Sequence, residues 1–286
     1  MPELPEVETI RTALQKGGRN GPALVGRTIL SARLLWERSL SEPAPTEFLD
    51  RIAGQRFENF GRRGKFIVAQ LSRDTLLIHL RMSGDVRVEA DLDEAGRPRP
   101  LLAHDRVVVY TDDNLRLAFN DTRKFGRLWL TSDPESVLGG LGPEPLEEDF
   151  TAEAFYKRLQ KNHRQLKPLL LDQSFLAGLG NIYTDEALHL AGVHPCQISD
   201  QLSLDQARRL WQAIREVLSS GIAHNGASFD WVYRGGNFQN TFRVYGRAGK
   251  PCPVCGHPIE RRLVGQRGTH FCPVCQPATF NVSSEV

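Results

Sequence analysis

Arg106-Val107-Val108-Val109-Tyr110-Thr111-Asp112-Asp113-Asn114-Leu115-Arg116-Leu117-Ala118-Phe119-Asn120 reads as a β-hairpin. Two short runs, 106–110 and 115–120, flank an Asp-Asp-Asn turn signal, and neither is long enough to be a helix. The pattern continues outward. Residues 28–35, 55–59, 66–71, 75–80 and 85–89 precede the hairpin and 126–130 follows it, each strand-like, with one helical segment near 46–51. Many short strands between frequent turns specify a β-sandwich or barrel-like domain. Ahead of them, residues 3–16 read as a helix. Pro5 suits a first turn, the glutamates complement the positive end of the helix dipole, and Val7, Ile10 and Leu14 keep one apolar face. Gly17, Gly18 and Gly21 end it.

Beyond the strands the character changes. A first domain at 1–131 gives way to a linker at 132–149, rich in Gly, Pro and acidic residues. Residues 151–161, 169–172, 182–191 and 203–219 then read as helices, with Thr151 and Ser203 as caps and Pro168 and Gly192 near boundaries. They make a helical domain at 150–242, which includes a loop of Gly, Asn and aromatic residues at about 225–241. A segment at 243–276 holds two cysteine pairs, and 277–286 lacks a hydrophobic pattern and is expected to be a disordered tail. The expected class is α+β, multi-domain, without internal repeats.

The chain's 286 residues give room for two cores, and its 40% hydrophobic and 24% charged content is that of an ordinary globular protein. No apolar run approaches the ~20 residues of a membrane helix. The N-terminus carries acidic residues and prolines where a signal peptide needs a basic and an apolar region, so a cytosolic location is expected. The net charge of +2 is a weak pointer; its clustering is a better one. Arg62, Arg63 and Lys65 sit together, as do Arg243, Arg247, Lys250, Arg261, Arg262 and Arg267, while acids gather at Glu3, Glu6 and Glu8 and at Glu144, Glu147, Glu148 and Asp149. Segregation of this kind suits a polyanion on one face. Solvated surface is the alternative for any single run.

Cys252-Pro-Val-Cys255 and Cys272-Pro-Val-Cys275 form two C-x-x-C knuckles with sixteen residues between them. That spacing fits a four-thiolate zinc site on a hairpin, closed to substrate and therefore structural. Two disulfides or an iron–sulfur cluster are the alternatives. Gln266-Arg267-Gly268-Thr269 lies near the hairpin tip, where an arginine can reach a phosphate. Cys196 has no partner in sequence and reads as a small hydrophobe.

The opening Met1-Pro2-Glu3-Leu4-Pro5-Glu6-Val7-Glu8-Thr9 offers chemistry. Methionine before proline is commonly removed, which leaves Pro2 with a free secondary amine. An α-amino group titrates near pH 8 against about 10.4 for lysine, so its uncharged, nucleophilic fraction near neutrality is several hundred times larger. The adduct of a secondary amine with a sugar C1′ is an iminium that keeps its charge without a proton and acidifies C2′. Glu3 is then the candidate acid for the ring oxygen, with Glu6 orienting the site. The alternative is that these are ordinary helix-start residues.

The same opening resembles the N-terminal signature of bacterial formamidopyrimidine-DNA glycosylases. Further stretches match in order: Arg63-Gly64-Lys65, His79-Leu80-Arg81-Met82-Ser83-Gly84, Asp121-Thr122-Arg123-Lys124-Phe125-Gly126, Leu141-Gly142-Pro143-Glu144-Pro145-Leu146, Gly178-Leu179-Gly180-Asn181-Ile182-Tyr183 and the cysteine knuckles. The resemblance implies an N-terminal β-sandwich, a helix–two-turns–helix module and a zinc-finger hairpin. It implies a bifunctional enzyme of base excision repair that removes oxidised purines through a Schiff base on Pro2 and then eliminates both phosphates. Its roles for residues follow: Lys65 on the phosphate at the lesion, assisting catalysis; His79 on DNA; Met82, Arg123 and Phe125 in the hole left by the everted nucleotide; Asn181 on the backbone; and Arg267 as the hairpin's phosphate ligand, counted with the catalytic set. The 225–241 loop stands where the family reads the lesion, with Ser228, Tyr233 and Asn237 as candidates. One structural Zn²⁺ is the only cofactor implied. The partner is duplex DNA with oxidised purines or abasic sites, met by a cytoplasmic, nucleoid-associated monomer. An endonuclease VIII preferring oxidised pyrimidines and a catalytically silent DNA binder are the rivals.

Overall fold

The computed structural model describes residues 1–18, 21–228 and 235–278. Its described residues fall into two compact units, Met1–Gly140 with part of Asn225–Gly236, and Leu141–His224 with the rest of the C-terminal chain.

The first unit begins with α1 (Leu4–Lys16) and continues through β1 (Ile29–Leu34), β2 (Leu40–Glu42), α2 (Pro45–Ile52), β3 (Phe57–Arg63), β4 (Phe66–Leu71), β5 (Thr75–His79), β6 (Gly84–Ala90), β7 (Asp105–Thr111), β8 (Leu115–Asp121), β9 (Arg127–Thr131) and a short α3 (Glu135–Leu138). The strands form a four-stranded antiparallel sheet, β1-β7-β8-β6, and a five-stranded sheet, β2-β9-β5-β4-β3, in which β2 alone runs parallel to its neighbour. In the quoted hairpin Val107 faces Phe119 and Val109 faces Leu117, and all four enter the core. Asp113 and Asn114 turn the chain with φ of 55° and 58°, a conformation their short polar side chains tolerate. Core residues from the other sheet, Phe57, Phe60, Ile67, Leu76, Ile78 and Leu128, join them with Val7, Ile10 and Leu14 of α1. One face of each sheet is thus apolar, which is what a sandwich requires.

Three boundaries differ from expectation for identifiable reasons. β2 has three residues, too few to show alternation, and its pairing is non-local. β3 runs on through Gly61, Arg62 and Arg63, which carry no strand signal but pair with Val68, Ile67 and Phe66 of β4. The expected 132–149 linker contains α3.

The second unit holds α4 (Ala152–Gln160), α5 (Leu166–Leu171), α6 (Asn181–Ala191), α7 (Leu204–Ala223) and the hairpin of β10 (Glu260–Val264) and β11 (Arg267–Phe271). Thr151 caps α4 by accepting the Ala154 N–H at 3.1 Å, and Ser203 and Gln206 form a capping box on α7. α5 starts at Leu166 and not at the expected 169, so Pro168 sits near the boundary but inside the first turn, where an N–H has no intrahelical acceptor. No helix among the described residues is long and apolar enough to cross a membrane.

Candidate active site and nucleic-acid surfaces

Helix α1 follows directly on the first residues of the chain and fixes their place. Glu3 is its N-cap, accepting the Glu6 N–H, and Glu6 returns a carboxylate oxygen to the Glu3 N–H at 2.7 Å. This capping box is built from two glutamates, both buried. The other Glu6 oxygen accepts the Ala227 N–H at 2.7 Å, so Glu6 anchors the near end of the 225–241 loop as well. Gly226, at φ +80°, has no room for a Cβ, which would lie 2.7 Å from that oxygen. Ser228 Oγ donates to the Gly236 carbonyl at 2.7 Å and accepts its N–H at 2.9 Å, closing the loop's neck. Tyr233 lies outside the described residues. Asn237 is exposed, and its N–H donates to the His224 carbonyl.

Met1 is 45% exposed and Pro2 is buried behind it. Burial lowers the pKa of the terminal amine; Glu3 and Glu6 oppose that shift, while Lys65 and Arg123 add to it. Glu3 and Glu6 therefore share one electrostatic neighbourhood with the chain terminus, Lys65 and Arg123. Lys65 itself is buried in the two-residue turn between β3 and β4, which Gly64 enters at φ +55°. Arg62, grouped with it in sequence, is tied to Glu8 at 3.1 Å.

A second group lies on the loops that follow β5 and β8. Met82 is 36% and Phe125 49% exposed, and the Arg123 guanidinium stands 5.0 Å from the Phe125 ring centre. Large apolar side chains left open to water beside a cation mark an interaction surface. His79 is buried against Phe66, and its Nδ1 accepts the Arg81 N–H at 3.1 Å. Burial first, then the charges of Arg81 and Lys65, lower its pKa to about 3. The ring is neutral at pH 7, and with Nδ1 an acceptor the proton sits on Nε2.

In the second unit the four cysteine sulfurs lie within 4.8 Å of one another, with Cys252–Cys275 at 3.8 Å and Cys255–Cys272 at 3.4 Å. Thiolates about 2.3 Å from a tetrahedral zinc are about 3.8 Å apart, so the cluster fits the ion. Disulfides do not fit, because the sulfurs converge on one point and all four cysteines are free. The knuckle N–H groups of Val254 and Cys275 point at Cys252 and Cys272 sulfur, both at 3.5 Å. Helix α6 carries the hairpin on one polar face. Asn181 Nδ2 donates to the Gly268 carbonyl at 3.0 Å; Asp185 accepts the His270 N–H at 2.9 Å and pairs with fully buried Lys167; His189 Nε2 lies 3.4 Å from Cys252 sulfur. Residues 181, 185 and 189 follow a helical i, i+4, i+8 spacing. Glu186 beside them accepts the N–H groups of Arg243, Val244 and Tyr245. Gly265 and Gln266 form the hairpin tip at φ +54° and +61°, with Arg267 exposed next to it. Asn181 and Arg267 thus meet through Gly268.

Asp185, Glu186 and His189 were not singled out in the sequence, nor was Asp121, whose buried carboxylate touches both exposed loops of the first unit. The helical spacing of the α6 set is a signal that could have found it.

Three family models match in order: the formamidopyrimidine-DNA glycosylase N-terminal domain at residues 1–128, that family's H2TH domain at 141–231, and the zinc finger found in FPG and IleRS at 249–278. A formamidopyrimidine-DNA glycosylase of Chloroflexus aggregans is 46% identical over 96% of this chain and 98% of its own length. One of Protochlamydia amoebophila is 41% identical over 96% and 99%. Among solved structures, Lactococcus lactis Fpg in complex with DNA containing N7-benzyl-Fapy-dG superposes with a TM-score of 0.87 at 37% identity, covering 97% of this chain and all of that one. The same TM-score and identity hold for the L. lactis protein with DNA containing an oxidised pyrimidine.

Proposed function

This chain belongs to the formamidopyrimidine-DNA glycosylase family, and we propose that Pro2 is the nucleophile with which it excises oxidised purines, 8-oxoguanine and formamidopyrimidines, from duplex DNA. It is a DNA-repair glycosylase with the zinc-finger fold of that family, and lyase activity is characteristic of the family. The observation that carries the finer reading is the buried Pro2, covered by an exposed Met1, in the neighbourhood of Glu3, Glu6 and Lys65.

Removal of Met1 exposes the amine. Its lone pair attacks C1′ as the bond to the damaged base breaks, and the base departs with the bonding electrons and takes up the proton that the nitrogen sheds. Glu3 protonates the ring oxygen, the sugar opens, and the C1′–nitrogen adduct becomes an iminium. Loss of a C2′ proton then expels the 3′ phosphate, and a second elimination expels the 5′ phosphate. Lys65 faces the phosphate at the lesion, and neutral His79 offers it an N–H. Met82 and Phe125 fill the space of the everted nucleotide, and Arg123 pairs with the orphaned base. Asn181 and Arg267 hold backbone phosphate in the second unit. Cys252, Cys255, Cys272 and Cys275 would hold a structural zinc, whose part is to fold the hairpin. On this reading 1–131 is the catalytic domain, 132–149 the linker, 150–242 the H2TH domain with the lesion loop, and 243–276 the zinc finger.

The test is single-turnover cleavage of duplexes with 8-oxoguanine opposite cytosine or with thymine glycol. The 8-oxoguanine duplex should be cut faster, and Pro2→Gly and Glu3→Gln should each lower its rate by about a hundredfold or more while lesion binding persists. Faster cutting of thymine glycol would overturn the purine reading. Unchanged rates in both variants would overturn the chemistry, and binding without cleavage by the wild-type chain would make it a silent binder.

A further inference from the structure

We infer that Asp121 is a positioning residue that locks the Met82 loop and the Arg123–Phe125 loop into a single wedge. The inference rests on the proposal that those side chains enter the DNA stack, and adds what makes them act together.

Asp121 ends β8 and is fully buried. Its Oδ1 accepts the Ser83 hydroxyl and, at 3.2 Å, the Arg123 N–H. Its Oδ2 accepts the Gly126 N–H at 2.7 Å. Ser83 Oγ also accepts the Arg123 N–H, at 3.1 Å. One carboxylate therefore grips the residue after Met82, the backbone of Arg123 and the residue after Phe125. Other bonds stay within one loop: the Gly84 N–H donates to the Leu80 carbonyl at 2.9 Å, and the Arg127 guanidinium donates to the carbonyls of Lys124, Phe125 and Gly126, whereas Asp121 and Ser83 join the two loops. Each contains a non-glycine residue in the left-handed region, Arg81 at φ 52° and Lys124 at φ 62°. Each also ends on a glycine that has no room for a Cβ: Gly84 is closed against the Leu80 carbonyl, and Gly126 against the Phe119 ring. Such backbone persists where surrounding contacts hold it.

The residue type follows from the donors. Two N–H groups and a hydroxyl converge on two oxygens, and an ionised carboxylate accepts all three. Asparagine at 121 would turn an NH₂ toward one of those donors, losing that bond. The carboxylate is itself fixed to the sheet, since the Asp121 N–H donates to the His104 carbonyl at 2.9 Å and Arg106 Nε donates to the Asp121 carbonyl at 2.7 Å. Wedge insertion repays the cost of unstacking only if the inserted groups arrive pre-placed, because ordering them on the DNA would consume the same free energy.

The test measures single-turnover excision of 8-oxoguanine in two duplexes, one pairing the lesion with cytosine and one holding it in a bulge, where eversion is cheaper. Asp121→Asn should slow the paired substrate by about tenfold and Ser83→Ala, which loses both the bond to Asp121 and the one from the Arg123 N–H, by up to about a hundredfold, each lost buried hydrogen bond being worth roughly a factor of ten. On the bulged substrate both deficits should shrink at least fivefold. Ser83→Ala carries the test if Asp121→Asn does not fold. Equal deficits on the two substrates would make Asp121 a purely structural residue and overturn the inference. Met82→Ala and Phe125→Ala separate it from its premise. If they slow the paired substrate while Asp121→Asn and Ser83→Ala do not, the wedge stands and its lock is wrong. If Met82→Ala and Phe125→Ala cut the paired substrate at the wild-type rate, the wedge reading falls and the lock with it.

Discussion

The two-sheet body of the first unit and the β10–β11 hairpin of the second are both mainly antiparallel β structure, and they are stabilised by opposite means. The body buries Phe57, Phe60, Phe119 and a continuous set of aliphatic side chains from both sheets and α1. The hairpin's apolar cluster is Val244, Cys252, Ile259 and Cys272, and most of β10 faces water. It is specified by four sulfurs at one end and by the polar face of α6 along its length. An element held by metal and polar pairs needs little apolar surface of its own. That frees Arg261, Arg262 and Arg267 to stay exposed, where phosphate can be met.

The largest effect that would sharpen this contrast is zinc removal. Metal binding at such sites contributes on the order of 10–16 kcal/mol, far more than the hairpin's cluster can replace. Chelation, or Cys272→Ser, should unfold the hairpin and weaken duplex binding by about a hundredfold or more, with the near-ultraviolet dichroism of the sandwich aromatics largely kept. Native affinity in zinc-free protein, verified by metal analysis, would break the contrast. Phe119→Ala should act the other way round. It removes a fully buried ring from the sandwich core and should cost about 3–5 kcal/mol in urea unfolding while zinc content stays at one per chain. A smaller effect follows from His79. Its folded pKa of about 3 lies below the unfolded value near 6.5, so the unfolded chain takes up the proton first as pH falls. The stability it contributes is complete above about pH 6.5 and is lost progressively toward pH 3. Between pH 7 and 5 the loss should be about 1–2 kcal/mol, and His79→Gln should remove that part of the pH dependence.

The contrast also explains what could be read in the sequence. The 106–120 hairpin was legible because its two short strand-like runs and its Asp-Asp-Asn turn are local signals. β2 was not, because it is three residues long and its partner lies far along the chain, and the polar end of β3 was not, because Gly61-Arg62-Arg63 carries no strand pattern although its partner β4 follows directly. Pro168 marks the start of α5 only to within a turn, because a proline is tolerated at any of the first positions, where the N–H has no intrahelical acceptor. The cysteine knuckles announce their chemistry by spacing, and the N-terminal residues gained roles from resemblance to a family. Asp121 opens a stretch that resembles the family, but its role is not written in that stretch, and only the fold shows Ser83, Arg123 and Gly126 gathered around it. Asp185 and His189 stayed unread for a related reason, since polar residues spaced along a helix ordinarily face solvent, whereas here both are buried against the hairpin.

The claim on which the chemistry depends is that the attacking nitrogen belongs to residue 2. Borohydride reduction during turnover, followed by proteolysis and mass spectrometry of the cross-linked peptide, reads that nitrogen directly. The account predicts a sugar remnant on a peptide that begins at Pro2 and lacks Met1. A remnant on Lys65 or another lysine, or on a peptide still carrying Met1, would contradict it.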